Sequence, residues 1–440
     1  MGLKYIETIK SVVLFVLVMI SVALTFTIWT YTPNHETLDS AKTIDISIAE
    51  KKKVEQLITP YKVIYRNNVL RGSHEEIRLS ELLEEMKDWS IRDLTLEREQ
   101  FTKERVDELM SAEQSLLLYY FGEVPFRIFE NIITVQDGNV PEGTFDRLVV
   151  TRTGDEMEMH FINRKHEYYY TASVTVPQLK RTENFFLTWS NELDVYEKVL
   201  GNTITYLAIP QNELLVNQNT YYQEEVTPTR FRDALFADPN AVRRSQIGSV
   251  QEEYADNHAL MTVDMLTKQL NYVYPSAESN EIAIPSELLY QSIDFINEHG
   301  GWTDDYRYVY MNPITRYTRF KLFVEGLPVH SETKVSTEIV QQYGEGRVFR
   351  YTRPYYTFDA TLLIERNLVT LPSGVEVIEH MKRNPTVDLE AIEDVIVGYM
   401  MQPDFDNRLF KLIPAWFYSV NGVWHHYDLN ETGVARYGLG

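Results

Sequence analysis

The sequence predicts an α+β protein in which a single N-terminal transmembrane helix precedes extracytoplasmic domains of antiparallel sheet with helices packed on one side. Three observations carry this expectation. An uncharged apolar run lies near the N-terminus. Helical and strand patterns alternate irregularly, with no βαβ rhythm and no Gly-rich turn after a strand. The C-terminal third contains an internal repeat whose units each read helix, strand, turn, strand.

From Ser11 to Trp29 the chain reads SVVLFVLVMISVALTFTIW, and no charged residue falls between Lys10 and Glu36. About 19 residues at roughly 1.5 Å each reach close to 28 Å, enough for a bilayer core of about 30 Å. The outer end, TIWTYTP, is bulky and aromatic and lacks the small-residue pattern at which a secretory leader is cut. Residues 11–30 are therefore read as an uncleaved anchor, with Trp29 and Tyr31 at one membrane interface and Tyr5 at the other. Lys4, Lys10 and the terminal amine precede the run, and only Lys42 follows within about 20 residues of it. That bias puts residues 1–10 in the cytoplasm and the bulk outside the cell membrane. Ser21 and Thr25 lie four apart, as do Ala23 and Thr27. Small and hydroxylated positions let helices approach and hydrogen-bond in lipid, so these four are the candidate contact with a partner helix. The other reading is that each hydroxyl bonds back to its own helix.

The whole chain has 440 residues and 51.5 kDa, which suits two or three domains with real cores. It carries 42 basic against 64 acidic residues, a net charge of −22, and the excess acid belongs to the outer part. Such a balance argues against nucleic acid as a partner. With no cysteine there is no disulfide, thiol catalysis, Cys-ligated zinc or lipidated-cysteine anchor. The expected divisions of the outer part are residues 36–178, 179–280 and 281–440.

After a connector near Thr37 to Ser47, YKVIYR (61–66) reads as a strand. A helix capped by Ser80 follows, with Leu79, Leu82, Leu83, Met86 and Trp89 at helical spacing. A charged helix occupies about Thr102 to Ser111. EMEMHFIN (156–163) alternates as a strand, with Met157, Met159 and Phe161 on one face, and HEYYYTASV (166–174) is its hairpin partner. Further on, a helix runs from about Thr229 until Asp238-Pro239 interrupts it. Val242 to Asn257 reads as loop, and a mixed pattern resumes from Ala259 to Leu270.

YMNPITRYTRFKL (310–322) aligns without gaps on MMQPDFDNRLFKL (400–412). Upstream, IPSELLYQSIDFINEHGG (284–301) and LPSGVEVIEHMKRNP (371–385) both open with Pro-Ser. Ser286 and Ser373 are the expected N-caps and Gly300 the expected stop. Leu289, Ile293 and Ile296 form the apolar stripe of the first helix; Val375, Ile378 and Met381 form that of the second. The correspondence reads as a duplication.

No P-loop, HExxH, GxSxG or dinucleotide fingerprint occurs. GEGRVF (344–349) reads as a hairpin turn. His425 and His426 are adjacent on a strand and point to opposite faces, so they do not chelate one ion. His299 sits at a helix end facing the dipole. Asp404, Asp406 and Asn407 resemble the start of a calcium loop without its Gly and Glu, and Asp304 and Asp305 read as a solvated turn. No catalytic residue, metal site or cofactor site is assigned, and the chain is not expected to be an enzyme.

Four segments nonetheless stand in a specific order: the run ending TIWTYTP, FRDALFADPNAVRR (231–244), SIDFINEHGGWTDDYRY (292–308) and FKLIPAWFY (410–418). In that order, and over nearly its whole length, the chain resembles the YycH (WalH) family of membrane-anchored regulators from low-GC Gram-positive bacteria. The resemblance implies three extracytoplasmic α+β domains behind one membrane helix. It also implies association with a sister single-pass protein, YycI, and with the sensor histidine kinase WalK (YycG), tuning the WalK/WalR two-component system that controls cell-wall metabolism. Signalling through transmembrane helices, as the resemblance implies, suits Ser21 and Thr25. Two other classes stay open: an anchored wall-modifying enzyme, and a ligand-binding or inhibitory module resembling the PepSY type of exported domain. For the latter, Tyr306, Tyr308 and Tyr310, alternating along one strand, either line a groove or are half-buried packing.

Overall fold

The computed structural model describes residues 14–22, 48–138, 140–154, 156–199, 207–358 and 360–429. The chain forms two compact units, Met1–Ile44 and Asp45–Gly440. In the first, residues 14–22 are α-helical, and Leu14, Phe15, Leu17 and Met19 are exposed. Ser21 lies on this helix and is exposed. Among the described residues no helix is long and apolar enough to cross a membrane. Tyr5, Ala23, Thr25, Thr27, Trp29 and Tyr31 lie outside the described residues.

The second unit is rich in sheet. Its N-terminal part is a ten-stranded sheet whose middle strands are Lys62–Asn67, Ser115–Pro125, Thr144–Thr153, Glu156–Asn163 and Tyr168–Thr175, side by side in that order. LLLYYF (116–121) is an unbroken run of aliphatic and aromatic residues because its strand is buried on both faces. Leu116, Leu118 and Tyr120 join one core, against Leu79, Leu82 and Met86 of helix Glu76–Met86. Leu117 and Tyr119 join a second core, against Val106, Leu109 and Met110 of helix Lys103–Met110. Helices therefore cover both faces of this sheet rather than one, since both faces are apolar.

The expected strand 156–163 and its hairpin partner are present in register, with Phe161 opposite Tyr170. Thr102 caps the charged helix by accepting from the Arg105 N–H. Ser80 caps nothing: its helix begins at Glu76, because Leu79 belongs to the buried stripe and must already be helical. The stretch expected as loop, 242–257, instead forms strands Arg243–Ile247 and Gln251–Ala255. Arg243–Ile247 is exposed along its whole length, which erased the alternation that marks a half-buried strand.

The C-terminal part is a 14-stranded sheet. Both repeat units appear as a helix followed by a long hairpin. Helix Pro285–Glu298 precedes strands Tyr306–Asn312 and Tyr317–Val324; helix Gly374–Arg383 precedes strands Ile392–Asp404 and Leu409–Val420. The two hairpins close identically, Asn312 opposite Tyr317 and Asp404 opposite Leu409. In each, the first residue accepts from backbone N–H groups of the turn, and an arginine, Arg316 or Arg408, ends it at φ 56°. Asn163 and Asp264 open two further turns of the same design, with Glu167 and Lys268 at φ 53°. Ser373 is the N-cap expected, accepting from the Glu376 N–H. Ser286 is not: Pro285 takes the first helical position, Ile284 becomes the N-cap, and the Ser286 hydroxyl donates to Glu142.

Among the described residues two parallel pairings interrupt the antiparallel pattern. One joins Ser90–Glu97 to Thr134–Val135. The other joins Leu327–Ser331 to Ile392–Asp404 and so links the first repeat unit to the second. A tight hairpin feeds it, with Glu325 and Gly326 at φ 50° and 78°, the left-handed pair that a two-residue turn requires.

Arginine in the left-handed region costs about 1–2 kcal/mol. Arg408→Gly should therefore raise the unfolding free energy of the full chain by up to about 1 kcal/mol. Arg316 differs, because its guanidinium donates to the carbonyls of Tyr343, Gly344 and Glu281. Arg316→Gly should lower stability by about 1–3 kcal/mol. Urea midpoints of the two variants read the opposite signs.

Candidate functional site

Helix Pro285–Glu298 ends in the segment Asn297–Asp305. His299 stacks on Phe295, with ring centroids 4.2 Å apart, and its Nδ1 lies 2.9 Å from the Phe295 carbonyl oxygen. Gly300 and Gly301 then take φ 116° and 72°, and a Cβ on Gly301 would run into the carbonyls of Ala49 and Glu50. Two glycines are required because another segment of chain lies directly against them.

That segment is the lead-in to the folded body, residues 48–52. The Ala49 N–H donates to the Gly300 carbonyl at 2.8 Å, and the Trp302 N–H to that of Glu50 at 3.1 Å. Asn297 holds both backbone groups of Lys52, accepting from its N–H and donating to its carbonyl, each at 3.0 Å. Trp302 Nε1 donates to the same Asn297 oxygen. Lys52 Nζ reaches Asp305 at 3.0 Å, Asp305 pairs with Arg307 at 2.6 Å, and Arg307 pairs with Glu76 at 3.0 Å. This ion chain runs from the lead-in to the helix of the N-terminal sheet. Asp305 is thus no solvated turn. Burial opposes its charge, yet Arg307 and Lys52 hold its carboxyl below the usual range.

Asp304 is sequestered as well. Its Oδ1 accepts from the Phe358 N–H and Thr357 Oγ1, and its Oδ2 is buried without a hydrogen-bond partner among the described residues. Burial pushes its carboxyl up to about 7, against those two hydrogen bonds. The same loop is held from beneath by Arg353, fully buried, which donates to the Gly301 carbonyl and Thr303 Oγ1 and lies over the Phe231 ring at 4.8 Å. Phe231 opens the FRDALF segment, so two of the segments singled out in the sequence meet here.

The fourth, FKLIPAWFY, runs beside strand Ile392–Asp404 at the junction of the two sheets. The register slips at Glu393, a bulge of the kind that re-aims a side chain. The Asp394 carboxylate lies between Tyr61 Oη, Lys62 Nζ at 2.6 Å and Arg147 Nη2 at 3.9 Å. Asp146 pairs with Arg147 at 3.3 Å and with Arg164 at 2.6 Å. Burial works against Asp394, but Lys62 and Arg147 keep it ionised by lowering its pKa. The arrangement has no nucleophile poised beside a base. Among the described residues no three His, Asp or Glu side chains are grouped to hold a metal ion.

The three tyrosines of strand Tyr306–Asn312 do not share one groove. Tyr306 and Tyr308 are buried in the core, Tyr308 over Gly122 and donating to the Glu123 carbonyl at 2.7 Å. A register shift between Tyr308 and Tyr310 turns Tyr310 toward Arg319, whose guanidinium covers its ring at 5.0 Å. His425 and His426 do face apart, stacking on Tyr418 and meeting Glu332 respectively. Asp394, Lys62, Arg147 and Arg353 escaped the sequence reading. The available signal was a charge inside an apolar strand, as in IEDVIVGYMM and FDRLVV.

Asp394→Ala leaves Lys62 and Arg147 buried without their carboxylate and should cost about 3–5 kcal/mol in urea unfolding, part of it recovered by adding Lys62→Met. For Asp304 the native state binds its proton up to about pH 7, whereas the unfolded chain releases it near 4. The stabilisation is complete below pH 4 and lost as pH rises through 7. His74, His160, His299 and His330, whose pKa values burial lowers, pull the opposite way below about 6.5. Subtraction isolates Asp304: Asp304→Asn should match the parent at pH 4 and exceed it at pH 8 by on the order of 2–4 kcal/mol.

Two family profiles match the chain in tandem, the YycH protein N-terminal domain over residues 7–186 and the YycH protein C-terminal domain over residues 205–433. Over 437 residues the chain is 20% identical to the two-component system WalR/WalK regulatory protein YycH of Bacillus subtilis (strain 168), covering 94% of this chain and 95% of that protein. The crystal structure of YycH from Bacillus subtilis superposes with a TM-score of 0.71 at 17% identity, over 86% of this chain and 98% of that one. The fold is therefore shared, and with the C-terminal profile alone spanning more than half of its residues, this chain belongs to the YycH family.

Proposed function

We propose that this chain is a non-enzymatic, membrane-anchored regulator of the WalR/WalK two-component system. Residues 11–30 would be its transmembrane helix, with the N-terminus cytoplasmic and the body outside. Ser21, Ala23, Thr25 and Thr27 would pack against the transmembrane helices of the kinase WalK and a YycI-type sister protein, and Tyr5, Trp29 and Tyr31 would sit at the interfaces. Family membership, the name of the Bacillus relative and the uncharged run support this reading.

The observation that carries it is the clasp on residues 49–52. A regulator that acts through an N-terminal helix needs the chain held where it enters the body, and backbone hydrogen bonds at Ala49, Glu50 and Lys52 hold it there. A helix that binds one kinase state better than another by 1–2 kcal/mol shifts kinase output by roughly 5–30-fold. The body would then set how the helix is presented.

In cells, a chain cut to residues 1–40 should keep part of the regulation, and complete loss would count against helix-borne signalling. Ser21→Leu with Thr25→Leu should reduce co-purification of the kinase with the full chain. Gly301→Ala should change a WalR-dependent reporter while leaving co-purification intact. An unchanged reporter would remove the clasp from the mechanism.

A further inference from the structure

A cleft of about 340 Å³ opens where the two sheets meet, beside Asp394. Its charged lining comprises four cations, Arg147, Arg164, Arg319 and Lys321, and three carboxylates, Glu338, Glu393 and Asp394. The carboxylates are already engaged. Asp394 is held by Tyr61 and Lys62, and Glu338 by Lys321 at 2.8 Å and Arg319 at 3.5 Å. Glu393 accepts from Ser419 Oγ and the Gly422 N–H. Counting Lys62 and Asp146 behind the wall adds one charge of each sign, so the surplus stays at one positive charge in a chain of net −22.

The surplus is dry. Arg147 and Tyr120 are each 2% exposed. Arg147 Nε, Arg319 Nε and Tyr120 Oη have no hydrogen-bond partner among the described residues. Three buried donors left unfilled along one cleft cost about 1–3 kcal/mol each unless an acceptor or water takes them. Around them stand aromatic rings: Tyr61, Tyr120, Phe121, Tyr310 and Trp424. Trp424 and Tyr61 both pack against Phe121, giving one wall a continuous apolar surface.

We propose that this cleft binds a small organic carboxylate. The carboxylate supplies the missing negative charge beside Arg319, the more exposed of the two guanidiniums, whose planar fork matches its two oxygens, with the buried Arg147 charge behind it. The apolar body of the ligand lies on the ring wall. The volume is at the small end of ligand pockets and suits a small molecule. This assignment is independent of the regulatory reading and fails or stands separately from it.

Benzoate, titrated into the full chain in detergent micelles, is the probe, and its neutral isostere benzamide is the control. Benzoate at millimolar concentration should change tryptophan fluorescence saturably and raise the urea midpoint. Benzamide should bind at least about tenfold more weakly. Trp424→Phe should remove most of the fluorescence change and keep the shift in midpoint. Arg319→Gln, at the half-buried side of the cleft, should keep its fold by unliganded urea midpoint and weaken benzoate by about tenfold. No saturable response to benzoate, equal binding of benzamide, or undiminished binding by a folded Arg319→Gln chain would each overturn the proposal.

Discussion

The Asp394 carboxylate, lodged between Lys62, Tyr61 and Arg147, sits where the N-terminal and C-terminal sheets meet. Taking Asp394, Lys62 and Arg147 out of water is costly, and a buried ion cluster is not in itself a source of net stability. Its effect is selective. Slide one sheet against the other by a residue, and Lys62 and Arg147 lose the carboxylate they depend on, at several kcal/mol. Apolar packing between sheets tolerates many arrangements of similar area; this cluster tolerates few. Residues 45–440 accordingly hold together as one compact unit.

That unity gives the clasp its meaning. The lead-in at residues 49–52 is fastened to the C-terminal sheet's helix, while Lys52, Asp305, Arg307 and Glu76 carry the fastening on to a helix of the N-terminal sheet. A strain entering at residue 49 is therefore met by both halves of the body. Arg353 and the two left-handed glycines make the receiving loop rigid, and the sequestered Asp304 makes it sensitive to protonation. The cleft lies at the same sheet junction, so a ligand there would act on the contact that keeps the halves in register.

Much of this was legible in the sequence wherever a pattern has a period. The strand 156–163 and its partner followed from alternation, and the repeat of helix and hairpin followed from the alignment of residues 310–322 on 400–412. Errors fell where local rules met tertiary ones. Ser80 and Ser286 look like caps, but burial of Leu79 and the place of Pro285 moved both helix starts. The pair Asp304-Asp305 looks like a polar turn because its partners, Lys52, Arg307 and Thr357, converge only in three dimensions. The tyrosine stripe failed as a groove because one bulged residue reverses the faces of a strand, and a bulge has no period to read.

The most direct test of the account is hydrogen exchange at the Ala49 and Lys52 amides in the full chain. Both N–H groups are bonded to the body, to the Gly300 carbonyl and the Asn297 side chain. The account predicts that they exchange as slowly as amides of the neighbouring helix, and that Asn297→Ala releases Lys52. Exchange at the rate of an unstructured peptide would make the lead-in a free tether and contradict it.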